Sequence, residues 1–361
     1  MNKKIPKVMV VGYGQMGKYH YNSLAELQKD ERVQIGPVID INKEKLSSLE
    51  SNLVDTNFSR AFDKTRPDIV ALATNTATHN NILETIVKSD QNPALFIEKP
   101  IVETSKDGIK IAEELREKGY GNEIPISFGY LIRQSLALKS AINYINSNKL
   151  KIKGFDVTWQ KIRAPKRPSA GVHIDETTHS IDTILKYILP STGNTSEAII
   201  LNNLVSKYDQ SVVNVELQEQ LYKGNKDKLI PMAQLEYDLS YSNIPIKGIS
   251  SFMKLPFERN INISCEEKDQ NPLNVKVSFD KDRTDEVSVI DHGRSIFYDN
   301  FSTAEIRKGN VFREWDSFLN YYNSNKITPD LATIENAVFD LKLTEAFGNK
   351  DLVFPYKIDF L

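Results

Sequence analysis

The chain has almost no cysteine. Cys265 is the single one in 361 residues, so no internal disulfide can form, and this usage fits a reducing compartment. Cys265 itself reads as a small buried hydrophobe. Long apolar runs are missing too. The opening "MNKKIPKVMVVGYG" puts basic residues ahead of Val8–Val11, a run too short for a signal-peptide core and far too short to cross a bilayer. No other stretch approaches a spanning length, so the cytoplasm is the expected location and no membrane is expected as a partner. A charge of one sign is also lacking: the formal net charge is −2, with Lys and Arg dispersed, which argues against nucleic acid or an anionic membrane surface.

Repeats, low-complexity tracts and Pro/Gly-rich linkers are absent as well. A chain of 361 residues is long for one hydrophobic core, so two domains are expected to contact each other directly rather than swing on a tether.

What is present falls into two rhythms. Over the first 130 residues or so, apolar runs at 7–11, 33–39, 68–73, 94–98 and 124–129 alternate with amphipathic stretches. That is the pattern of an α/β, doubly wound parallel sheet covered on both faces. Ser105 to Gly119 is the clearest helix, with Ile109, Ala112 and Leu115 on one face and a glycine where a cap belongs. After Tyr130 a helix at 134–147 leads into candidate strands at 152–162, 197–207, 233–242, 246–255, 259–267, 273–279 and 286–290, then two closing helices. Few helices separate those strands, so a large, mainly antiparallel sheet in an α+β domain is expected. The last helix shows Leu331, Ile334, Val338 and Leu341 at helical spacing after a "TPD" start signal. The expected division is 1–128 and 129–361, with the closing helix 330–348 free to pack back on the first domain.

"KVMVVGYGQMGKYH" places Gly12, Gly14 and Gly17 in a G-x-G-x-x-G between a strand and a helix. The first glycine permits a tight turn, the second lets a pyrophosphate approach the backbone, and the third lets helix and strand pack closely. The helix N-terminus, with Gln15 and Met16 in its first turn, offers unpaired N–H groups to the anion. Asp40 stands where an acid would hold the adenosine ribose hydroxyls. A carboxylate there repels a ribose 2′-phosphate, so NAD is the expected cofactor. Lys43 and Lys45 read as a solvated helix face, close enough in sequence to soften that repulsion, so NADP stays open.

Ligands of doubly wound sheets sit outside the carboxyl ends of the strands. There "FIEKP" delivers Glu98 and Lys99 and then ends the ladder at Pro100, and "ALATNTATH" delivers Thr74, Asn75 and His79. Farther on, "GVHIDETTHSID" (171–182) spaces Asp175, His179 and Asp182 at i, i+4, i+7, so on a helix they share one face, with His173 just outside its start.

These four motifs, in this order, make the sequence similar to the glucose–fructose oxidoreductase / inositol dehydrogenase (Gfo/Idh/MocA) family over essentially the whole chain. The resemblance implies a Rossmann domain followed by an α/β domain with a large open sheet, whose face commonly builds homodimers or homotetramers. It also implies Lys99, Asp175 and His179 as the catalytic lysine, aspartate and histidine.

The chemistry gives such a trio an independent reason. Hydride transfer from a carbinol carbon requires the hydroxyl proton to leave, and a histidine with an unperturbed pKa of about 6.5 is well poised to take it. An ammonium beside the same oxygen stabilises developing alkoxide. Asp175 then orients the imidazole or binds a substrate hydroxyl, and Asp182 reads equally well as a supporting group or a surface acid. H-x-D-x-x-x-H also reads as a nitrogen and oxygen donor set for zinc, but the resemblance implies no metal and none is expected. His20 is expected to pack at the glycine-loop helix, and His292 has no assigned role. The basic "KIRAPKRP" (161–168) reads as a solvated loop or as a grip on a substrate carboxylate or phosphate.

Two departures stand out. Only Gly171 precedes the aspartate, where many members of the family that the sequence resembles carry two or three glycines. Glu176 follows it, where relatives often carry a small apolar residue or leucine. The expected activity is an NAD(P)-dependent oxidoreductase interconverting a hydroxyl and a ketone on a sugar, polyol or sugar derivative. The alternatives are a nucleotide-sugar dehydrogenase or reductase and a non-catalytic dinucleotide-binding sensor.

Overall fold

The computed structural model describes residues 4–161, 171–196, 198–208, 232–253, 257–281, 283–349 and 351–360. They form two compact units, one of residues 1–134 with 305–341, the other of 135–304 with 342–361. Among the described residues, no helix is long and apolar enough to cross a membrane.

The first unit is built on strands β1 (Lys7–Val11), β2 (Gln34–Ile39), β3 (Val54–Asp55), β4 (Ile69–Leu72), β5 (Ala94–Glu98) and β6 (Ile126–Gly129). Their order is β3-β2-β1-β4-β5-β6, and every pairing is parallel. Helices α1 (Gln15–Lys29), α2 (Phe58–Thr65), α3 (Thr76–Lys88) and α4 (Ser105–Glu117) connect them. Because successive strand residues point to opposite faces, Val8 and Val10 join a core with Leu24, Leu27, Trp315 and Phe318. Met9 and Val11 join the other core, with Leu83, Ile111, Leu115 and Val338. Two-sided burial is why these strands read as continuous apolar runs.

The helix Asn310–Ser324 packs on the α1 side of this sheet. The last helix starts at Ile334, four residues later than the sequence suggests. "TPD" makes a turn ahead of it, in which Leu331 N–H donates to the Thr328 carbonyl at 3.0 Å. Leu331 therefore sits in the α1-side core, whereas Ile334, Val338 and Leu341 sit in the opposite one.

The second unit holds a nine-stranded sheet of β7 (Lys151–Gln160), β8 (Ala198–Tyr208), β9 (Met232–Tyr241), β10 (Ile244–Ser251), β11 (Glu258–Glu266), β12 (Pro272–Lys281), β13 (Thr284–Asp291), β14 (Arg294–Ser302) and β15 (Tyr356–Asp359). Its order is β14-β13-β12-β11-β7-β10-β9-β8-β15, antiparallel except for the β7·β10 pair. Sequence reading misses the two edges. β14 buries none of its nine residues and β15 buries only Ile358, so neither carries the alternation that marks a half-buried strand.

The segment 173–191 is helical but not a regular α-helix. It is π-helical at His173–Thr177, α-helical at Thr178–Asp182, π-helical again at Thr183–Ile188, and closes with Leu189–Ser191. The wider π turns change the phase of the faces, a feature common near functional residues.

Candidate functional site

The glycine loop shows three separate requirements. Gly12 has φ +94°, and a Cβ there would lie 2.5 Å from the Ala73 carbonyl oxygen. A Cβ on Gly17 would lie 1.9 Å from the Gly12 oxygen, so close packing of α1 on its own loop demands glycine. Gly14 differs, because nothing lies within 4 Å of its Cβ position. It is also the N-cap of α1, with no side-chain cap and no acid in the first turn. Open space beside uncapped N–H groups at the positive end of a helix suits a pyrophosphate. Gln15 is exposed and Met16 half-buried in that turn.

The loop opens into a cavity of about 190 Å³ whose wall includes Gly12, Gly14, Asp40, Lys45, Thr74 and Asn75. Asp40 is buried, and its carboxylate is oriented by the backbone N–H groups of Tyr13 at 2.8 Å and Asn42 at 2.9 Å. Lys45 lies against the same carboxylate, 3.3 Å from Oδ2 and 3.5 Å from Oδ1. Thr78 donates its hydroxyl to Thr74 at 2.7 Å on the far wall. His79 sits behind that wall: it is buried, with Nδ1 at 3.2 Å from the Pro100 and Ile101 carbonyls and Nε2 at 3.2 Å from the Thr74 carbonyl. Burial lowers its pKa despite those carbonyls and the charge of Glu98. It braces the backbone after β4 against the backbone after β5.

At the end of β5, Glu98 is buried and Lys99 and Pro100 are half-buried. His20, fully buried, brings Nε2 within 2.8 Å of Glu98 Oε1. Trp315 Nε1–H donates to His20 Nδ1 at 3.0 Å, and its ring stacks on Phe96 at 4.8 Å. A Cβ on Gly129 would lie 2.8 Å from Glu98 Oε1, so glycine on β6 makes room for this carboxylate. Glu314, also buried, has its pKa pushed well up by burial and then by the charge of Glu98.

In the second unit, Gly171 has φ +113°, and its Cβ position lies 2.7 Å from the His173 ring. The one glycine kept in this stretch thus stands where a side chain cannot. Asp175 N–H donates to the Gly171 carbonyl at 3.0 Å, starting the helical segment. Asp175 and His179 are half-buried and Asp182 is 1% exposed, with π turns before and after the α-helical stretch Thr178–Asp182. Burial pulls the His173 pKa down to about 4 in spite of Asp175, so its ring is neutral near pH 7.

Glu176 is the hub of this region. Its carboxylate accepts from Trp159 Nε1 at 3.1 Å, from Arg259 at 2.8 Å and from Lys161. Burial pushes its pKa up, but Arg259, Lys161 and His179 outweigh burial and bring it to about 2. Lys161 is the one described residue of the basic stretch; 162–168 lies outside the described residues. Among the described residues, no group of three or more His, Cys, Asp or Glu could hold a metal ion.

Residues 6–121 match the model of the Gfo/Idh/MocA oxidoreductase family, described as an NAD-binding Rossmann fold. Residues 6–121 thus resemble the NAD-binding Rossmann domain of that family. No curated protein matches the chain by sequence. Among solved structures, the chain is similar to the UDP-N-acetylglucosamine 3-dehydrogenase of Acidithiobacillus ferrooxidans, at 16% identity and TM-score 0.68, covering 96% of this chain and 100% of that one. It is similar to a dehydrogenase (MviM) of Clostridium difficile at 16% identity and TM-score 0.70, covering 96% and 99%. It is also similar to the transcriptional regulator Gal80p of Kluyveromyces lactis at 13% identity and TM-score 0.69, covering 99% and 91%. At such identities the likeness is one of fold.

Within this Rossmann domain, sequence reasoning missed the partnerships of His20 and Lys45. His20 lies three residues after Gly17, one helical turn on, and that spacing was the signal available for its place behind the loop. Lys45 reads as solvated because its partner Asp40 approaches it only through the turn after β2. Glu176 was visible as a departure, but its three donors come from β7, from Lys161 just after it and from β11, and Arg259 is 83 residues away in sequence.

Proposed function

We propose that the protein is an NAD(P)-dependent oxidoreductase that interconverts a hydroxyl and a ketone on a sugar, polyol or sugar derivative. The observation that carries this reading is the end of β5, where Glu98 is tied to a buried histidine and the chain then presents Lys99. The residues of the loop and cavity fit a dinucleotide, which when bound would accept or return a hydride. Gly14 and the start of α1 would hold its pyrophosphate, and Asp40 its adenosine ribose. In this reading His179 takes the hydroxyl proton, Lys99 steadies the alkoxide that develops, and Asp175 orients the imidazole or binds a substrate hydroxyl. Asp40 favours NAD over NADP.

The test is a screen of sugars, inositols, sugar acids and nucleotide sugars, following NADH absorbance in both directions. Turnover with any member supports the reading, and its absence across all four classes with both coenzymes speaks against it. Nucleotide sugars belong in the screen because one similar structure is a UDP-N-acetylglucosamine 3-dehydrogenase.

A second reading, a dinucleotide-binding regulator on the same fold, draws on the likeness to the transcriptional regulator Gal80p. Coenzyme binding without turnover in that screen would favour it.

A further inference from the structure

Asp40 is expected to exclude a 2′-phosphate, yet it does not face the cavity alone. A carboxylate offers about four lone-pair sites. Two are taken by the N–H groups of Tyr13 and Asn42, which fix the plane of the group. The other two are where ribose hydroxyls would donate, and the Lys45 ammonium now lies against both oxygens, at 3.3 and 3.5 Å. Those distances are long for a charged hydrogen bond. The lysine side chain is 46% exposed while that of Asp40 is 6% exposed, so Lys45 can swing while Asp40 cannot.

We infer that Lys45 is the coenzyme-selecting residue of this cavity and that it makes the site accept NADP as well as NAD. The inference rests on the coenzyme reading above and deepens it. When NAD binds, the ribose hydroxyls displace Lys45 from Asp40, and the ammonium loses a partner. When NADP binds, the 2′-phosphate takes the ammonium as its counter-ion, and the repulsion from Asp40 is offset. Lys45 therefore works against the first coenzyme and for the second. Lys43, two residues away, is exposed and does not line the cavity wall, so it serves as the control.

The experiment is isothermal titration of the full chain with NAD⁺, NADP⁺ and, to remove the nicotinamide, ADP-ribose. Wild type, Lys45→Ala, Lys45→Arg and Lys43→Ala are compared, with thermal melts to show that each is folded. Wild type is expected to bind NADP⁺ within about tenfold of NAD⁺. Lys45→Ala should weaken NADP⁺ by about tenfold, the worth of one charge-assisted contact. It should leave NAD⁺ and ADP-ribose unchanged or slightly tighter. Lys45→Arg should restore NADP⁺, and Lys43→Ala should change the ratio by less than about twofold, as expected of a distant surface charge. Equal effects of Lys45→Ala on both coenzymes, or none, overturn the inference while leaving the coenzyme reading standing. A folded wild type that binds neither coenzyme overturns both.

Discussion

Trp315 donates its indole N–H to His20 Nδ1 at 3.0 Å, and that single bond decides what His20 can do for Glu98. An indole N–H only donates, so Nδ1 must keep its lone pair, and the neutral imidazole carries its proton on Nε2. Nε2–H then donates to Glu98 Oε1 at 2.8 Å. Two residues, His20 of α1 and Trp315 of the helix Asn310–Ser324, thereby fix the carboxylate at the end of β5 that precedes Lys99.

His20→Ala leaves a buried carboxylate without its donor and should cost about 3 kcal/mol in urea unfolding. Trp315→Phe keeps most of the ring packing and releases the tautomer, at about 1–2 kcal/mol. Equal stability of wild type and His20→Ala would show that Glu98 finds another partner.

The glycines separate folding from binding. Gly17→Ala forces a Cβ to 1.9 Å from the Gly12 oxygen and should lower the melting temperature strongly. Gly14→Ala meets nothing within 4 Å and should change stability by about 1 kcal/mol or less. It should nevertheless weaken dinucleotide binding in a titration, because the methyl group enters the space for the pyrophosphate. Undiminished affinity in Gly14→Ala would remove that loop from the binding site.

Glu176 should leave a mark on acid unfolding. Its folded pKa, about 2, lies below the ordinary 4.5. The carboxylate thus adds stability above the unfolded value and loses it as the pH falls from about 4.5 toward 2. The contribution at neutral pH is about 3 kcal/mol. Glu176→Gln should flatten that limb of the stability–pH curve. Glu176→Ala, which leaves Arg259 and Lys161 without their carboxylate, should destabilise by about 3–5 kcal/mol. An unchanged acid limb in Glu176→Gln would mean that the ion cluster contributes nothing.

With a substrate in hand, Lys99→Ala and His179→Ala should each lower turnover by about 10²- to 10⁴-fold. Coenzyme affinity should stay near wild type in both. Near-normal turnover in the two variants would remove Lys99 and His179 from the catalytic machinery.

A homodimer or homotetramer is expected in solution, and light scattering measures it. Monomer mass over a wide concentration range would count against the open sheet as an assembly surface.

Much of the first unit was legible because its strands are buried on both faces and announce themselves as apolar runs between glycine-bearing turns. β5, Ala94–Glu98, was found to the residue. Where burial is absent the signal fails, as at β14, and where a helix departs from α geometry, as at His173–Thr177, the spacing of Asp175 and His179 does not by itself fix their faces.

The sequence by itself determined the Rossmann domain, the glycine loop and the residue types at the strand ends, because local turn chemistry and two-sided burial leave a direct imprint on residue order. Only the tertiary structure decided that His20 serves Glu98, that Lys45 leans on Asp40 and that Glu176 draws its donors from the sheet. The first and last depend on groups brought together from 78 and 83 residues apart, and the Lys45 contact on the path of the turn after β2, so residue order alone does not record them.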